Sequence, residues 1–227
     1  MTARKVNTVL IASGSGTDAD SIMKAHASGF IPNINIKALI STKLGAGCLD
    51  KARILGIPTK LIDRREFSSI EIFNTALYSF LLEVEAELVF LVGCIVNIFP
   101  RNGISMYNIH PADPDKFGGS GMYGLEVHRR VILDIFDRIE RGKAKVGDRF
   151  FTLPTIHEVV TDYDSGEPFL QARIEVPTDI IIGLLNDAVS KESIDIAASK
   201  LQQVVLPNEW LMLPTAVQMA AKKIIES

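Results

Sequence analysis

The sequence predicts an α/β fold built on a doubly wound, mostly parallel β-sheet. Two observations lead to this prediction. Short apolar runs alternate with helical stretches along the first half of the 227-residue chain. The runs also stay apolar throughout, which is typical of parallel strands covered by helices on both faces.

The first half is expected to contain four strands separated by helices. The apolar runs predict strands at Val6–Ala12, Ile34–Ser41, Thr59–Ile62 and Leu88–Val92. Helices are expected at Asp18–Ser28, Gly45–Leu55 and Ser68–Glu85. The last of these has apolar residues three to four positions apart, which favours one buried helix face.

The second half is predicted to be less regular, with an antiparallel part and C-terminal helices. The sequence predicts a strand at Ile104–Ile109, a loop at Pro111–Gly121, a helix at Gly124–Arg141, strands at Phe150–Val160 and Phe169–Val176, and helices at Ile194–Val205 and Glu209–Glu226. The turn sequence TDYDSGEP separates the last two strands and favours antiparallel pairing. No Gly-, Ser- or Pro-rich linker divides residues 1–227, so we expect one domain.

Composition excludes several classes of protein. With 24 basic and 27 acidic residues the net charge is −3, which gives no support for nucleic-acid binding. The apolar runs are shorter than the roughly 20 residues that a membrane helix needs. Cys48 and Cys94 form no disulfide framework, which favours a reducing, cytoplasmic setting. The four histidines form no HxH or HxxxH pair, so no metal site is expected.

The glycine-rich sequence SGSGTD lies between the first strand and the first helix. Gly14 and Gly16 would let a phosphate approach the N–H groups at the helix start, whereas a simple turn capped by Thr17 or Asp18 is the alternative. The pattern Gly14-x-Gly16-x-x-Ala19 also fits a dinucleotide fingerprint. That fingerprint needs an acidic residue after the second strand, but Ser41-Thr42-Lys43 stands there. NADP, with Lys43 on its extra phosphate, stays open.

The sequence NIHP, Asn108 to Pro111, lies where a predicted strand meets a loop. Ligands of open α/β sheets bind at the carboxyl ends of strands. In extended backbone, Asn108 and His110 point to the same side, so an amide and an imidazole could together stabilise an oxyanion. A structural histidine beside a turn asparagine is the alternative.

These motifs together resemble the folate-dependent formyltransferase family. The matching stretches are the first strand with SGSGT, LVFLVGCIVNIFP, YNIHP followed by Lys116, TDYDSGEPFLQARIEV and NEWLMLP. They cover most of residues 6–214. The resemblance implies a Rossmann-like formyltransferase fold and transfer of formyl from 10-formyltetrahydrofolate to a primary amine. In the purine-biosynthetic branch of the family, that amine belongs to glycinamide ribonucleotide.

The resemblance also implies roles for individual residues. Asn108, His110 and Asp164 would be catalytic, with Asp164 pairing with His110, favouring its charged form and relaying a proton. The phosphate-bearing acceptor would contact residues Gly14, Gly16, Thr17, Asp18, Lys116 and Glu209. The folate would contact residues Cys94, Ile95, Val96, Asn97, Ile98 and Asp162. Ordinary core packing remains the alternative for Ile95 and Ile98, a turn for Asp164, and a helix N-terminal acid for Glu209.

The sequence departs from the usual family pattern at several positions. Asp18 replaces an asparagine and Val96 an arginine, and the segments 116–128, 143–149 and 177–193 are extended. His128, near the start of a predicted helix, is expected to be exposed, and a match to a family histidine at the start of this helix is the alternative. Three other functions stay open: formylation of another small amine, NADP-dependent oxidoreduction, and folate binding without turnover. We expect small-molecule partners only, with the protein a monomer or a homodimer.

Overall fold

The computed structural model describes residues 4–162, 164–186 and 189–227. The strands are β1 Val6–Ala12, β2 Ile34–Ser41, β3 Thr59–Leu61, β4 Leu88–Leu91, β5 Ser105–His110, β6 Phe150–Thr152, β7 Thr155–Glu158, β8 Pro168–Gln171 and β9 Ile174–Val176. The helices are α1 Thr17–Ala27, α2 Cys48–Ile54, α3 Ile70–Glu83, α4 Pro114–Phe117, α5 Leu125–Glu140, α6 Thr178–Asn186 and α7 Lys191–Glu226. None of the described helices is long and apolar enough to cross a membrane.

The main sheet confirms the predicted fold class. Among the described residues its strand order is β3-β2-β1-β4-β5-β7-β8, and the pairs from β3 to β5 are all parallel. The chain winds outward from β1 through β2 to β3, then returns to β4 beside β1 and winds the other way. The strand order therefore reverses between β1 and β4, and ligands of such sheets bind at this point, beyond the carboxyl ends of the strands.

The antiparallel part is built from two bent strands. Strand β7 pairs with β5 and β8 in the main sheet, while β6 and β9 form a separate two-stranded sheet. The predicted strand Phe150–Val160 is therefore interrupted, because Pro154 follows β6 and cannot donate a ladder hydrogen bond. The predicted strand Phe169–Val176 bends opposite it, where Ala172 N–H donates to the Pro154 carbonyl at 3.1 Å.

The C-terminal region corrects the sequence prediction of two separate helices. Helix α7 runs unbroken through Pro207 and Pro214, although a proline inside a helix costs about 3 kcal/mol. Burial along the whole helix offsets this cost. Its first half packs with α5 and α6, and its second half packs through Leu213 and Val217 on the cluster around α1 and the sheet.

Two apolar layers hold the sheet between helices. One face of the sheet packs against α1, α2 and the end of α7, and the other face packs against α3 through Phe73, Leu77 and Leu81. A third cluster joins α5, α6, the start of α7 and the small sheet. Helix α4 lies inside the predicted loop Pro111–Gly121, and the Asp113 carboxylate caps it by accepting from Asp115 N–H. Helix α6 lies within the extended segment 177–193.

Candidate active site

A cavity of about 660 Å³ opens at the carboxyl ends of β1, β4 and β5. This volume lies in the range of small-molecule sites. Ser13 and Gly14 line it after β1, residues 93–98 line it after β4, and residues 108–111 line it at the end of β5. The reversal of strand order in the sheet therefore coincides with the cavity, and three predicted motifs meet there.

The three predicted catalytic residues lie together in this cavity. Asp164 Oδ1 accepts from Asn108 Nδ2 at 3.2 Å, and Asp164 Oδ2 lies 3.6 Å from His110 Nδ1. Asp164 Oδ2 also accepts from Gly119 N–H at 3.1 Å. Asp164 adopts a left-handed backbone with φ of 52°, which is uncommon outside glycine and places its carboxylate in the turn that faces β5.

Glycine at position 118 makes room for this arrangement. A Cβ there would lie 2.3 Å from the Pro114 carbonyl oxygen and 2.8 Å from Asp164 Cβ. The chain after α4 can therefore approach the aspartate only without a side chain. Gly118 therefore has a packing role beside the cluster of Asn108, His110 and Asp164.

The His110 imidazole is buried and has an acceptor at each nitrogen. Its Nε2 lies 3.0 Å from the Phe117 carbonyl oxygen and its Nδ1 faces Asp164. Burial lowers the pKa of His110, while the charge of Asp164 and the hydrogen bond to Phe117 act in the opposite direction without overcoming it. Asp164 therefore acts on His110 in the expected direction, towards its charged form, but burial outweighs this effect. Both imidazole nitrogens face an acceptor.

Asp164 itself is held as a carboxylate. Burial alone would raise the pKa of Asp164, but the hydrogen bond with His157, the charge of His110 and the Gly119 N–H together bring that pKa below its usual value. The carboxylate is therefore charged at neutral pH. Asp164 can therefore accept a proton only briefly during a reaction, by way of a neighbouring side chain.

Sequence reasoning missed His157 as a member of this cluster. His157 lies opposite Asn108 in the β5–β7 pair, and its Nε2 is 3.3 Å from Asn108 Nδ2 and 3.4 Å from Asp164 Oδ1. The Asn108 amide nitrogen therefore lies between the Asp164 carboxylate and the His157 imidazole. The predicted antiparallel pairing could have indicated His157, because it lies seven residues before Asp164 on the strand that leads into the turn containing Asp164.

The expectation that His128 is exposed was wrong. It is 2% exposed on the buried face of α5, lines the cavity, and its Nδ1 has no hydrogen-bond partner among the described residues. Burial, followed by the neighbouring charge of His110, lowers the pKa of His128 to about 4. It is therefore a neutral side chain beside His110.

The glycine-rich loop opens α1 without a side-chain cap. Gly16, with φ of 73°, is the N-cap, so neither Thr17 nor Asp18 caps the helix as the alternative interpretation required. A Cβ on Gly16 would lie 2.4 Å from Cys48 Cβ, which explains the glycine. Gly14 and Asp18 line the cavity, whereas Gly16 and Thr17 do not.

The segment after β4 lines the opposite side of the cavity. Cys94, Ile95, Val96, Asn97 and Ile98 all contribute to the wall. Ile95 N–H donates to Ser13 Oγ at 3.1 Å, which ties this segment to the glycine-rich loop. The Asn74 side chain bridges it to α3, because its amide donates to the Asn97 carbonyl and accepts from Phe99 N–H. Ile98 also belongs to the buried cluster under α3. It therefore both lines the cavity and packs in the core, so the two interpretations of this residue hold together.

The remaining predicted binding residues divide into two groups. Asp162 and Glu209 line the cavity. Lys116 does not line it: its ammonium lies 2.6 Å from Asp134 Oδ2 on the surface. The described residues contain no group of three or more His, Cys, Asp or Glu side chains able to hold a metal ion.

Comparison with known proteins identifies the family of this chain. The model of the formyl transferase family matches residues 6–197. The chain belongs to the formyl transferase family.

Several family members are similar in sequence. The chloroplastic phosphoribosylglycinamide formyltransferase of Vigna unguiculata is 30% identical over 183 residues, covering 78% of this chain and 53% of the relative. The phosphoribosylglycinamide formyltransferase of Haemophilus influenzae is 29% identical over 177 residues, covering 76% of this chain and 74% of the relative. The chain spans about half the length of the two plant relatives that it matches.

Solved structures share the fold. Glycinamide ribonucleotide transformylase 1 from Symbiobacterium toebii superposes with a TM-score of 0.70 at 24% identity, covering 96% of this chain and 89% of that one. The corresponding protein from Geobacillus kaustophilus gives a TM-score of 0.72 at 19% identity, covering 96% and 100%. The formyl transferase fold therefore extends over nearly the whole chain.

Proposed function

We propose that this protein transfers a formyl group from 10-formyltetrahydrofolate to the primary amine of glycinamide ribonucleotide. The observation that carries the proposal is the convergence of Asn108, His110 and Asp164 in one cavity of a formyl transferase fold. The acceptor is proposed because the relatives are phosphoribosylglycinamide formyltransferases.

The proposed reaction exchanges one C–N bond for another. The acceptor amine attacks the formyl carbon, and the formyl oxygen takes up the negative charge of a tetrahedral intermediate. The intermediate collapses as the bond from carbon to folate N10 breaks. The proton lost by the amine reaches N10, so the products are the formylated amine and tetrahydrofolate.

The three residues are suited to these steps. Asn108 lines the cavity, so an N–H bond of its amide can donate to the formyl oxygen. A donor aimed at a developing oxyanion contributes about 3–4 kcal/mol in comparable enzymes. Neutral His110 is able to accept a proton, and its charged form then meets Asp164 on one side and the Phe117 carbonyl on the other. Asp164 therefore stabilises the step at which His110 becomes charged, and water completes the relay to N10.

We place the two substrates on opposite sides of this cluster. The acceptor side lies between the glycine-rich loop and Glu209, with the uncapped N–H groups of α1 nearby as phosphate ligands. The folate side is formed by residues 94–98 and Asp162. The reaction needs only small-molecule partners. The free thiols of Cys48 and Cys94 agree with a reducing, cytoplasmic compartment.

A turnover assay tests the proposal. Purified protein is mixed with 10-formyltetrahydrofolate and glycinamide ribonucleotide, and tetrahydrofolate release is followed by absorbance. We expect release that depends on both substrates and falls strongly in Asn108→Ala and His110→Ala. Release that does not depend on the acceptor amine would point to hydrolysis and would reject the proposed acceptor.

A further inference from the structure

The cavity wall on the folate side has no regular structure. Residues 92–104 join β4 to β5 without a helix or strand in the described chain. We refer to residues 94–98, which line the cavity, as the folate segment. Among the described residues, no backbone–backbone hydrogen bond involves residues 94–99. Backbone N–H and C=O groups that leave water need partners, so the conformation of this segment depends on side chains from other elements.

Ser13 holds the start of the folate segment. It follows β1 directly and is 4% exposed. Its Oγ accepts from Ile95 N–H at 3.1 Å and lies 2.6 Å from Thr42 Oγ1, which follows β2. A hydroxyl has one proton and two lone pairs, so Ser13 can bind both groups at once. Ser13 N–H also donates to the Gly93 carbonyl at 3.1 Å, so Ser13 contacts the chain at two points.

Asn74 holds the end of the folate segment from the side away from the cavity. It lies in α3, is 4% exposed and does not line the cavity. Its Oδ1 accepts from Phe99 N–H at 2.9 Å, and its Nδ2 donates to the carbonyls of Asn97 at 3.1 Å and Ile70 at 2.9 Å. One turn later in α3, the Tyr78 hydroxyl donates to the Phe99 carbonyl. Helix α3 therefore fixes the chain at residues 97 and 99.

We propose that Ser13 and Asn74 are positioning residues, which set the folate segment in its ligand-binding conformation before 10-formyltetrahydrofolate binds. This inference rests on the proposed function, because it concerns the same formyl donor. Each side chain acts through backbone groups of the segment or of the residue that follows it. A segment that is already ordered loses less conformational entropy when it binds a ligand, which raises the affinity.

The arrangement predicts an effect on folate binding and not on the chemical step. Among the described residues, neither side chain has a hydrogen bond with the cluster of Asn108, His110 and Asp164. A bound folate can itself hold the segment in place when an anchoring side chain is missing. Saturation with 10-formyltetrahydrofolate should therefore restore turnover in variants of Ser13 or Asn74.

The test separates KM from kcat in two variants. Ser13→Ala removes the acceptor of Ile95 N–H, and Asn74→Leu replaces the amide by an apolar group of the same branched shape. We expect each variant to raise KM for 10-formyltetrahydrofolate roughly tenfold, as for a backbone group that loses its partner. The kcat at saturating folate should stay within about threefold of the unmodified value, because the lost binding is the same in the ground state and the transition state.

Thr8→Val and Thr75→Val are the matched controls. Thr8 is buried in β1, where its hydroxyl donates within the strand, and Thr75 follows Asn74 in α3, where its hydroxyl donates within the helix. Each control loses one hydroxyl from the same element as a test variant and should keep the unmodified KM for 10-formyltetrahydrofolate. Values for Ser13→Ala and Asn74→Leu that match the controls would overturn the inference, and so would a fall in kcat with KM unchanged.

Amide hydrogen exchange covers the case in which a variant does not fold. In the unmodified free protein, the N–H groups of Ile95 and Phe99 should exchange at least about tenfold more slowly than those of an unstructured peptide, because both donate to buried side chains. Exchange at the unstructured rate would show that the segment is not ordered before the folate binds, and would overturn the inference.

The proposed function fails separately, if the unmodified protein does not formylate glycinamide ribonucleotide. In that case the affinity for 10-formyltetrahydrofolate, measured by calorimetry, replaces KM in the comparison of variants. The same roughly tenfold loss is expected in Ser13→Ala and Asn74→Leu, and unchanged affinities in both would overturn the inference.

Discussion

Replacing Asp164 by asparagine changes the charge of the catalytic cluster with little change of shape. The carboxylate accepts from Asn108 Nδ2 at 3.2 Å and from Gly119 N–H at 3.1 Å, so one of these two donors loses its acceptor in Asp164→Asn. That loss costs about 1 kcal/mol of stability, and the protein should still fold. The larger effect is the loss of the negative charge that faces His110.

This loss should appear in turnover. Without the carboxylate, the charged form of His110 loses its stabilising partner 3.6 Å away. Proton-transfer groups contribute roughly 10²- to 10⁴-fold to rate, so we expect kcat to fall within that range, or by about 3–5 kcal/mol. The measurement is steady-state release of tetrahydrofolate by both proteins.

The pH dependence of kcat/KM should also shift in a definite direction in Asp164→Asn. Burial lowers the pKa of His110 and the charge of Asp164 raises it, so removing the charge lowers that pKa further. His110 is proposed to act in its neutral form, hence the acid limb of kcat/KM should lie below about pH 6.5 and move to still lower pH in Asp164→Asn. Asp137→Asn, which alters an exposed ion pair with Arg141, is the control. An acid limb that stays in place, or a kcat near that of the unmodified protein, would refute the assigned role.

Three further predictions concern packing and stability. Gly118→Ala places a Cβ 2.8 Å from Asp164 Cβ and should lower kcat at least tenfold. Gly147→Ala, which has open space around it, should leave kcat unchanged. Equal kcat values for the two variants would contradict the packing role of Gly118. Because burial raises the pKa of Glu209, the free energy of unfolding should fall as pH rises above about 4.3, and Glu209→Gln should flatten that fall in urea titrations. Because the pKa of His128 is lowered to about 4, stability should decrease by up to about 3 kcal/mol as pH falls from roughly 6.5, and His128→Gln should remove this decrease.

Local patterns were sufficient to predict the parallel half of the fold. The apolar runs Val6–Ala12 and Ile34–Ser41 form β1 and β2 with these bounds, because strands covered on both faces need unbroken apolar sequence. The Asp113-Pro114 sequence is a typical helix start, and α4 begins there although the prediction gave the whole segment Pro111–Gly121 as a loop.

Features that depend on distant contacts were not predictable. Helix α7 passes through Pro207 because tertiary packing outweighs the local preference for a break. Trp210 donates to Asp18 across 192 positions of sequence, so no local pattern indicates that the Asp18 side chain binds Trp210 and does not cap α1. The meeting of Asn108, His110 and Asp164 was expected only from family resemblance, because their contact depends on how the turn after β7 folds back on β5.

Formyl transfer can be tested by following the formyl carbon itself. 10-Formyltetrahydrofolate labelled with ¹³C in the formyl group is incubated with the protein and glycinamide ribonucleotide, and the products are analysed by mass spectrometry. We expect the label to appear as an N-formyl group on the acceptor amine, and not to appear there with His110→Ala. Label found only as formate, or left on the folate, would contradict formyl transfer to this acceptor.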